Sequence, residues 1–142
     1  MVLVSACLAG FATRYDGTDS LNGEIKKLVL AGRAIPICPE QLAGLTTPRP
    51  PVEFERGDGN GALRGATRAI AVDTGEDFTE NLIKGARETL RIARLYKIGH
   101  AILKDGSPSC GSTYVHSAGK KIPGMGITAA LLTQNGIKVE AG

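Results

Sequence analysis

The chain lacks any run approaching the 18 or so uninterrupted apolar residues that a membrane-spanning helix needs. It also lacks the basic leading segment of a signal peptide: the apolar opening Met1–Gly10 is short and runs straight into Arg14 and Asp16. Both absences point to a soluble cytoplasmic protein without a membrane partner. No long run of one charge is present either. Lys plus Arg is 17 against 14 for Asp plus Glu, a net charge of +3. A protein built to grip a nucleic-acid backbone is usually more basic and shows a clustered stripe, so nucleic acid is disfavoured, though a thiolated tRNA is not excluded. Cysteine is scarce and odd in number. Three thiols cannot all pair within one chain, and none of the close pairs typical of zinc fingers occurs.

What is present fits a globular protein of 142 residues, expected as one domain over 1–142, with 42% hydrophobic and 22% charged residues. Val2–Ala6 is a short apolar run, as in a strand covered on both faces. Ser20 is placed to cap a helix carrying Leu21, Ile25, Leu28 and Val29, which Gly32 ends. Ala34–Ile37 reads as a second buried strand and Arg68–Val72 as a third. Phe78, Leu82, Ala86, Leu90 and Ala93 mark a long amphipathic helix closed by Gly99. Ala101–Leu103 is a fourth strand, Ile127–Gln134 a last helix ended by Gly136, and Ile137–Val139 a final strand. Two long stretches, Cys38–Thr67 and Lys104–Gly124, show no helical period and read as loops. Alternating strands and helices imply an α/β fold: a mostly parallel open sheet with flanking helices, Rossmann-like, its site at the C-terminal edge of the strands.

On that layout Cys7 follows the first strand, Cys38 the second, and Cys110 lies in the loop after the fourth. Two readings fit them. Free cysteines are often buried and inert, or three thiols at strand ends can converge on one edge of a parallel sheet. Their polar, Gly- or Pro-rich loops favour convergence. Eleven of the 19 glycines fall in Leu8–Asp19, Cys38–Thr67 and Lys104–Gly124, the stretches that carry or follow these thiols. The neighbours Arg14, Tyr15, Asp16, Glu40, Arg49, Lys104 and Ser107 gather in the same loops. Of the two histidines, His100 begins a strand at the opposite edge and is read as structural, whereas His116 shares the Cys110 loop and is not taken as a ligand.

Several motifs are specific in combination: Ser5-Ala6-Cys7-Leu8-Ala9-Gly10 with Arg14-Tyr15-Asp16-Gly17; Cys38-Pro39-Glu40 with Gly44-Leu45, Pro48-Arg49 and Pro51-Val52-Glu53; and Leu103-Lys104, Ser107-Pro108-Ser109-Cys110-Gly111 and Gly126–Leu132. Together they resemble the TudS-like thiouracil desulfurases, a bacterial family long classed as a domain of unknown function, over about Ser5 to Val139. The resemblance implies an enzyme that replaces the sulfur of a thiolated uracil with oxygen, without net redox change, at a 4Fe–4S iron–sulfur cluster. It implies Cys7, Cys38 and Cys110 as cluster ligands and Glu40 and Ser107 as catalytic groups. Asp16, Arg49, Lys104 and Ser109 are expected to hold the small-molecule pyrimidine. The implied partner is that substrate; the sulfide is either released or passed to an acceptor that the sequence does not name. Two departures stand out: Ala43-Gly44 where a glycine pair is common, and Tyr114-Val115-His116-Ser117 where Tyr-Asp-Gly is typical. The second lies near the expected pocket and bears on the substrate more than on the cluster. The alternatives are a zinc hydrolase at the same three cysteines, or a non-catalytic sulfide carrier or thiolated-RNA-binding module.

Overall fold

The computed structural model describes all residues 1–142. Four strands, β1 (Val2–Ser5), β2 (Ala34–Ile37), β5 (His100–Leu103) and β8 (Lys138–Ala141), form an all-parallel sheet in the order β2-β1-β5-β8. The α/β expectation holds, with the sheet covered on both faces. Successive side chains of a strand point to opposite faces, and β1 shows the consequence. Leu3 joins a cluster with Leu90, Leu103 and Leu132, while Val4 joins one with Leu8, Ile25 and Ala34 on the other side. One face is covered by α1 (Gly23–Leu30), the other by α4 (Thr79–Leu95) and α5 (Ile127–Gln134). None of the helices is long and apolar enough to cross a membrane.

Both stretches read as loops contain structure. Cys38–Thr67 holds α2 (Pro39–Leu42), β3 (Val52–Phe54) and α3 (Gly59–Leu63); Lys104–Gly124 holds β6 (Tyr114–Ser117) and β7 (Lys120–Pro123). With β4 (Ala69–Ala71) these strands make a second, mixed sheet in the order β4-β3-β6-β7. The strand expected at Arg68–Val72 therefore belongs to this second sheet. The first helix also starts later than expected. Asn22 caps it in place of Ser20, accepting from the backbone N–H of Glu24 and Ile25, and Leu21 is left outside the helix and exposed.

The 17 residues of α4, about 25 Å at 1.5 Å per residue, join the two halves. Leu82, Ile83 and Ala86 pack with Phe54, Val115 and Ile127 under the second sheet, and Leu90 and Ala93 pack under the first. Where α4 crosses α2 the backbones touch: a Cβ on Gly85 would stand 2.1 Å from the carbonyl oxygen of Pro39. Alanine is the better helix former by about 1 kcal/mol, but overpacking against rigid backbone costs about 1–3 kcal/mol. The clash decides the sign. Gly85→Ala is expected to lower stability by about 2 kcal/mol, read as a lower midpoint in thermal or urea unfolding; an unchanged or raised midpoint would show that α2 can yield.

Candidate active site

The carboxyl ends of β1, β2 and β5 open on one side of the first sheet, where open α/β folds place their ligands. β1 continues into a 3-10 turn, Ala6–Ala9, that carries Cys7. β2 is followed by Cys38 at the N-cap of α2, with Pro39 in its first turn. β5 leads into the loop that carries Ser107 and Cys110. Residues of the two central strands of the second sheet, Val52 and Glu53 of β3 and Tyr114 and His116 of β6, complete the wall. The result is a cavity of about 380 Å³ that all three cysteines line, with Arg14, Tyr15, Glu40, Arg49, Lys104 and Ser107.

The Cys110 loop is fixed by its own polar groups. Ser107 Oγ accepts from the backbone N–H of Ser109 and of Cys110, both at 3.0 Å. With both lone pairs engaged, its hydroxyl proton points to Glu40 Oε2 at 3.3 Å. The other oxygen of Glu40 accepts from Arg49 Nε at 2.7 Å in an ion pair whose side chains are 12% and 4% exposed. A side chain at Gly111 would meet the carbonyl oxygens of Tyr114 at 2.5 Å and Ser107 at 2.8 Å, so only glycine lets the loop fold back on itself.

Asp105, which the sequence did not single out, ties the loop together. Its Oδ1 accepts from the backbone N–H of Gly106, Ser112, Thr113 and Tyr114, and its Oδ2 from the Thr113 hydroxyl. Burial pushes this carboxyl up, but the hydrogen bonds from Thr113, Tyr114 and Gly106 outweigh it and hold the group below the usual carboxylate range. A depressed folded value contributes stability that is full above the unfolded value of about 3.9 and is lost as pH falls through the folded one. Asp105→Asn is therefore expected to lower stability at pH 7 and to flatten its decline below about pH 4. Urea midpoints measured across that range, wild type against variant, check it; parallel curves would remove Asp105 from the account.

Burial pushes the Cys7 thiol up and neighbouring Cys38 adds to this, while Lys104 and Arg14 pull it down without cancelling. Burial drives the Cys110 thiol up strongly; the Ser5 hydroxyl opposes, and Cys38, Glu40 and Cys7 push further up. A pocket that disfavours thiolates by itself becomes hospitable to them once a cationic centre enters. No three of its His, Cys, Asp or Glu side chains converge tightly enough to ligate a single metal ion. Tetrahedral zinc with thiolates at about 2.3 Å needs sulfurs about 3.8 Å apart. The thiols that the cavity offers to a metal centre are Cys7, Cys38 and Cys110.

Against the expected substrate contacts, the geometry divides the residues. Lys104 lines the cavity and forms no ion pair. Asp16 does not: it lies in an exposed turn, where hydrogen bonds from Thr18 hold its carboxyl below the usual range. Ser109 is wholly buried behind the loop, outside the cavity lining. Arg49 reaches the cavity, but its five N–H groups all meet protein acceptors, leaving none for a substrate. His116 sits at the cavity wall edge-on to Tyr114, ring centroids 5.9 Å apart, and the Lys121 ammonium lies 4.1 Å from the Tyr114 ring centroid. His100, at the opposite edge, faces Glu140 at 3.4 Å.

A model of the 2-thiouracil desulfurase family matches residues 2–141. The chain belongs to the 2-thiouracil desulfurase family. The expectation of an enzyme of this family, drawn from the motifs, is met. Among the family member's relatives is the uncharacterized protein YbbK of Bacillus subtilis (strain 168), 45% identical over 98% of this chain and 93% of its own length. Among solved structures, the [4Fe-4S]-dependent thiouracil desulfidase TudS matches with a TM-score of 0.85 and 36% identity, over 99% of this chain and 89% of that one. The [4Fe-4S] cluster on which that protein depends is the cofactor that the family resemblance implies for this desulfurase.

Proposed function

We propose that this family member converts a thiolated uracil to uracil with release of sulfide, the oxygen coming from water, and that the whole chain, 1–142, acts as one desulfurase domain. The observation that carries the reading is the meeting, in one cavity, of three thiols from three strand ends with a hydrogen-bonded Glu40–Ser107 pair. Cys7, Cys38 and Cys110 are the residues that would hold a [4Fe–4S] cluster. When bound with three thiolates, such a cluster supplies a thiophilic Lewis acid at the iron left without a protein ligand. Glu40 Oε2 accepts a proton from the water that adds to the thiocarbonyl carbon, the usual work of a held carboxylate. Ser107 passes or holds that proton through its hydroxyl, the one position not engaged by the loop backbone. Lys104 and Arg14, which both line the cavity, supply N–H donors to the polar edge of the pyrimidine. The carbon–sulfur bond breaks as the carbon–oxygen bond forms, and the sulfur leaves as hydrosulfide, so no electron acceptor is needed.

Anaerobic reconstitution with iron and sulfide, followed by assay of uracil and sulfide from 2- and 4-thiouracil, tests this. A brown protein forming both products in equal amounts is expected. A fully loaded protein that leaves both thiouracils intact would refute the reading.

A further inference from the structure

Every N–H of the Arg49 side chain, at the wall of the cavity, meets a protein acceptor, and the reaction just described does not use it. Nε donates to Glu40 Oε1 at 2.7 Å. Nη1 donates to the Thr46 carbonyl at 3.3 Å and to Thr47 Oγ1 at 2.8 Å. Nη2 donates to the Thr13 carbonyl at 2.7 Å and faces Cys38 Sγ at 3.9 Å. A brace for the surrounding loops would need only the threonine contacts. The remaining two go to a carboxylate and a thiol that stand two residues apart and are both negative in a working site. Two anions in a buried place call for a buried cation. A guanidinium reaches several acceptors at once through its planar fork, which a lysine ammonium cannot do.

We infer that Arg49 is a positioning residue that couples the two halves of the site. It fixes Glu40 by one oxygen so that the other faces Ser107, and it donates toward the sulfur of Cys38. The inference rests on the desulfurase reading for the first half and on the Cys38 contact alone for the second.

Arg49→Lys keeps the charge and is the variant least prone to unfold. It is expected to load iron and sulfide to wild-type content while kcat falls about 10- to 100-fold, the usual effect of removing an outer partner of a metal site, with KM nearly unchanged. In a Glu40→Gln background the same change is expected to lower kcat by less than twofold, because residues acting through one another are not additive. The midpoint potential of the loaded protein, read by titration without substrate, is expected to move to more negative values as an N–H donor to a ligand sulfur is lost. A raised KM at unchanged kcat would put Arg49 on the substrate and overturn the inference. So would full additivity with Glu40→Gln, or an unmoved potential. If loaded wild-type protein makes no uracil, the desulfurase reading fails by itself, and the potential still reports on the Arg49–Cys38 contact.

Discussion

Cys110→Ala is expected to give a folded, colourless protein that makes no uracil from 2-thiouracil above the uncatalysed background. The thiol is buried, 6% exposed, and packs in the main core cluster. Other groups hold the loop in place without its sulfur, however. The loop around it is held by Ser107 and Asp105, and by the hydrogen bond from Gly111 N–H to the Ser107 carbonyl at 3.0 Å. Removing one sulfur leaves two thiolates for a cluster, too few to hold it against solvent and chelators. Iron and sulfide content after reconstitution, with circular dichroism as the control for folding, separates lost ligation from lost structure. The same outcome is expected for Cys7→Ala and Cys38→Ala. A Cys110→Ala protein with full iron content and turnover would remove this residue from the ligand set.

Glu40→Gln is expected to keep the cluster and to lose about 10²–10⁴-fold in kcat, the range that a positioned acid–base group contributes. The amide has the shape of the carboxylate and can still accept from Arg49 Nε through its carbonyl, so the buried guanidinium keeps a partner. It offers no basic oxygen to water, and its NH₂ group meets the Ser107 hydroxyl as a donor. Some stability goes with the lost charge, because Arg49 is 4% exposed and its ion pair is not repaid by solvent. A melting curve taken beside the kinetics keeps the two effects apart. Wild-type turnover in a folded, loaded Glu40→Gln protein would end the role given to this carboxylate.

Most of the first sheet is legible from residues alone because β1, β2 and β5 are largely apolar and α4 repeats its apolar residues every three or four positions. The last strand, β8 (Lys138–Ala141), alternates polar and apolar residues and lies one to two residues beyond the expected Ile137–Val139. Ala34–Ile37 and Ile127–Gln134 were placed to the residue. The second sheet was not, for local reasons. β3 and β4 have three residues each, too few to show alternation. The β6–β7 hairpin turns through Ala118 and Gly119, both at positive φ, where an alanine stands in the place that usually signals such a turn with asparagine. α3 begins Gly59-Asn60-Gly61, residues of low helix propensity, and depends on the Asp58 cap and on packing against α5. The Cys38–Glu40 and Ser107–Cys110 motifs pointed to one pocket. Asp105 escaped notice because an aspartate before a glycine reads as an ordinary turn, and its backbone acceptor role shows only in three dimensions. Asp16 and Ser109 have cavity residues as neighbours in sequence, but neither lines the cavity itself.

Cys7, Cys38 and Cys110 stand 31 and 72 residues apart and belong to three different strand ends. Whatever grips all three also ties shut two long lengths of chain. Closing such loops removes freedom from the unfolded chain, and the entropy involved grows only slowly with loop length. The unfolded chain holds no preformed site, so free energy released on gripping the thiols adds to that of folding. A cluster held by all three would thus double as a chemical staple. Stripping it away would cost the enzyme its activity and part of what keeps its chain folded in the same event.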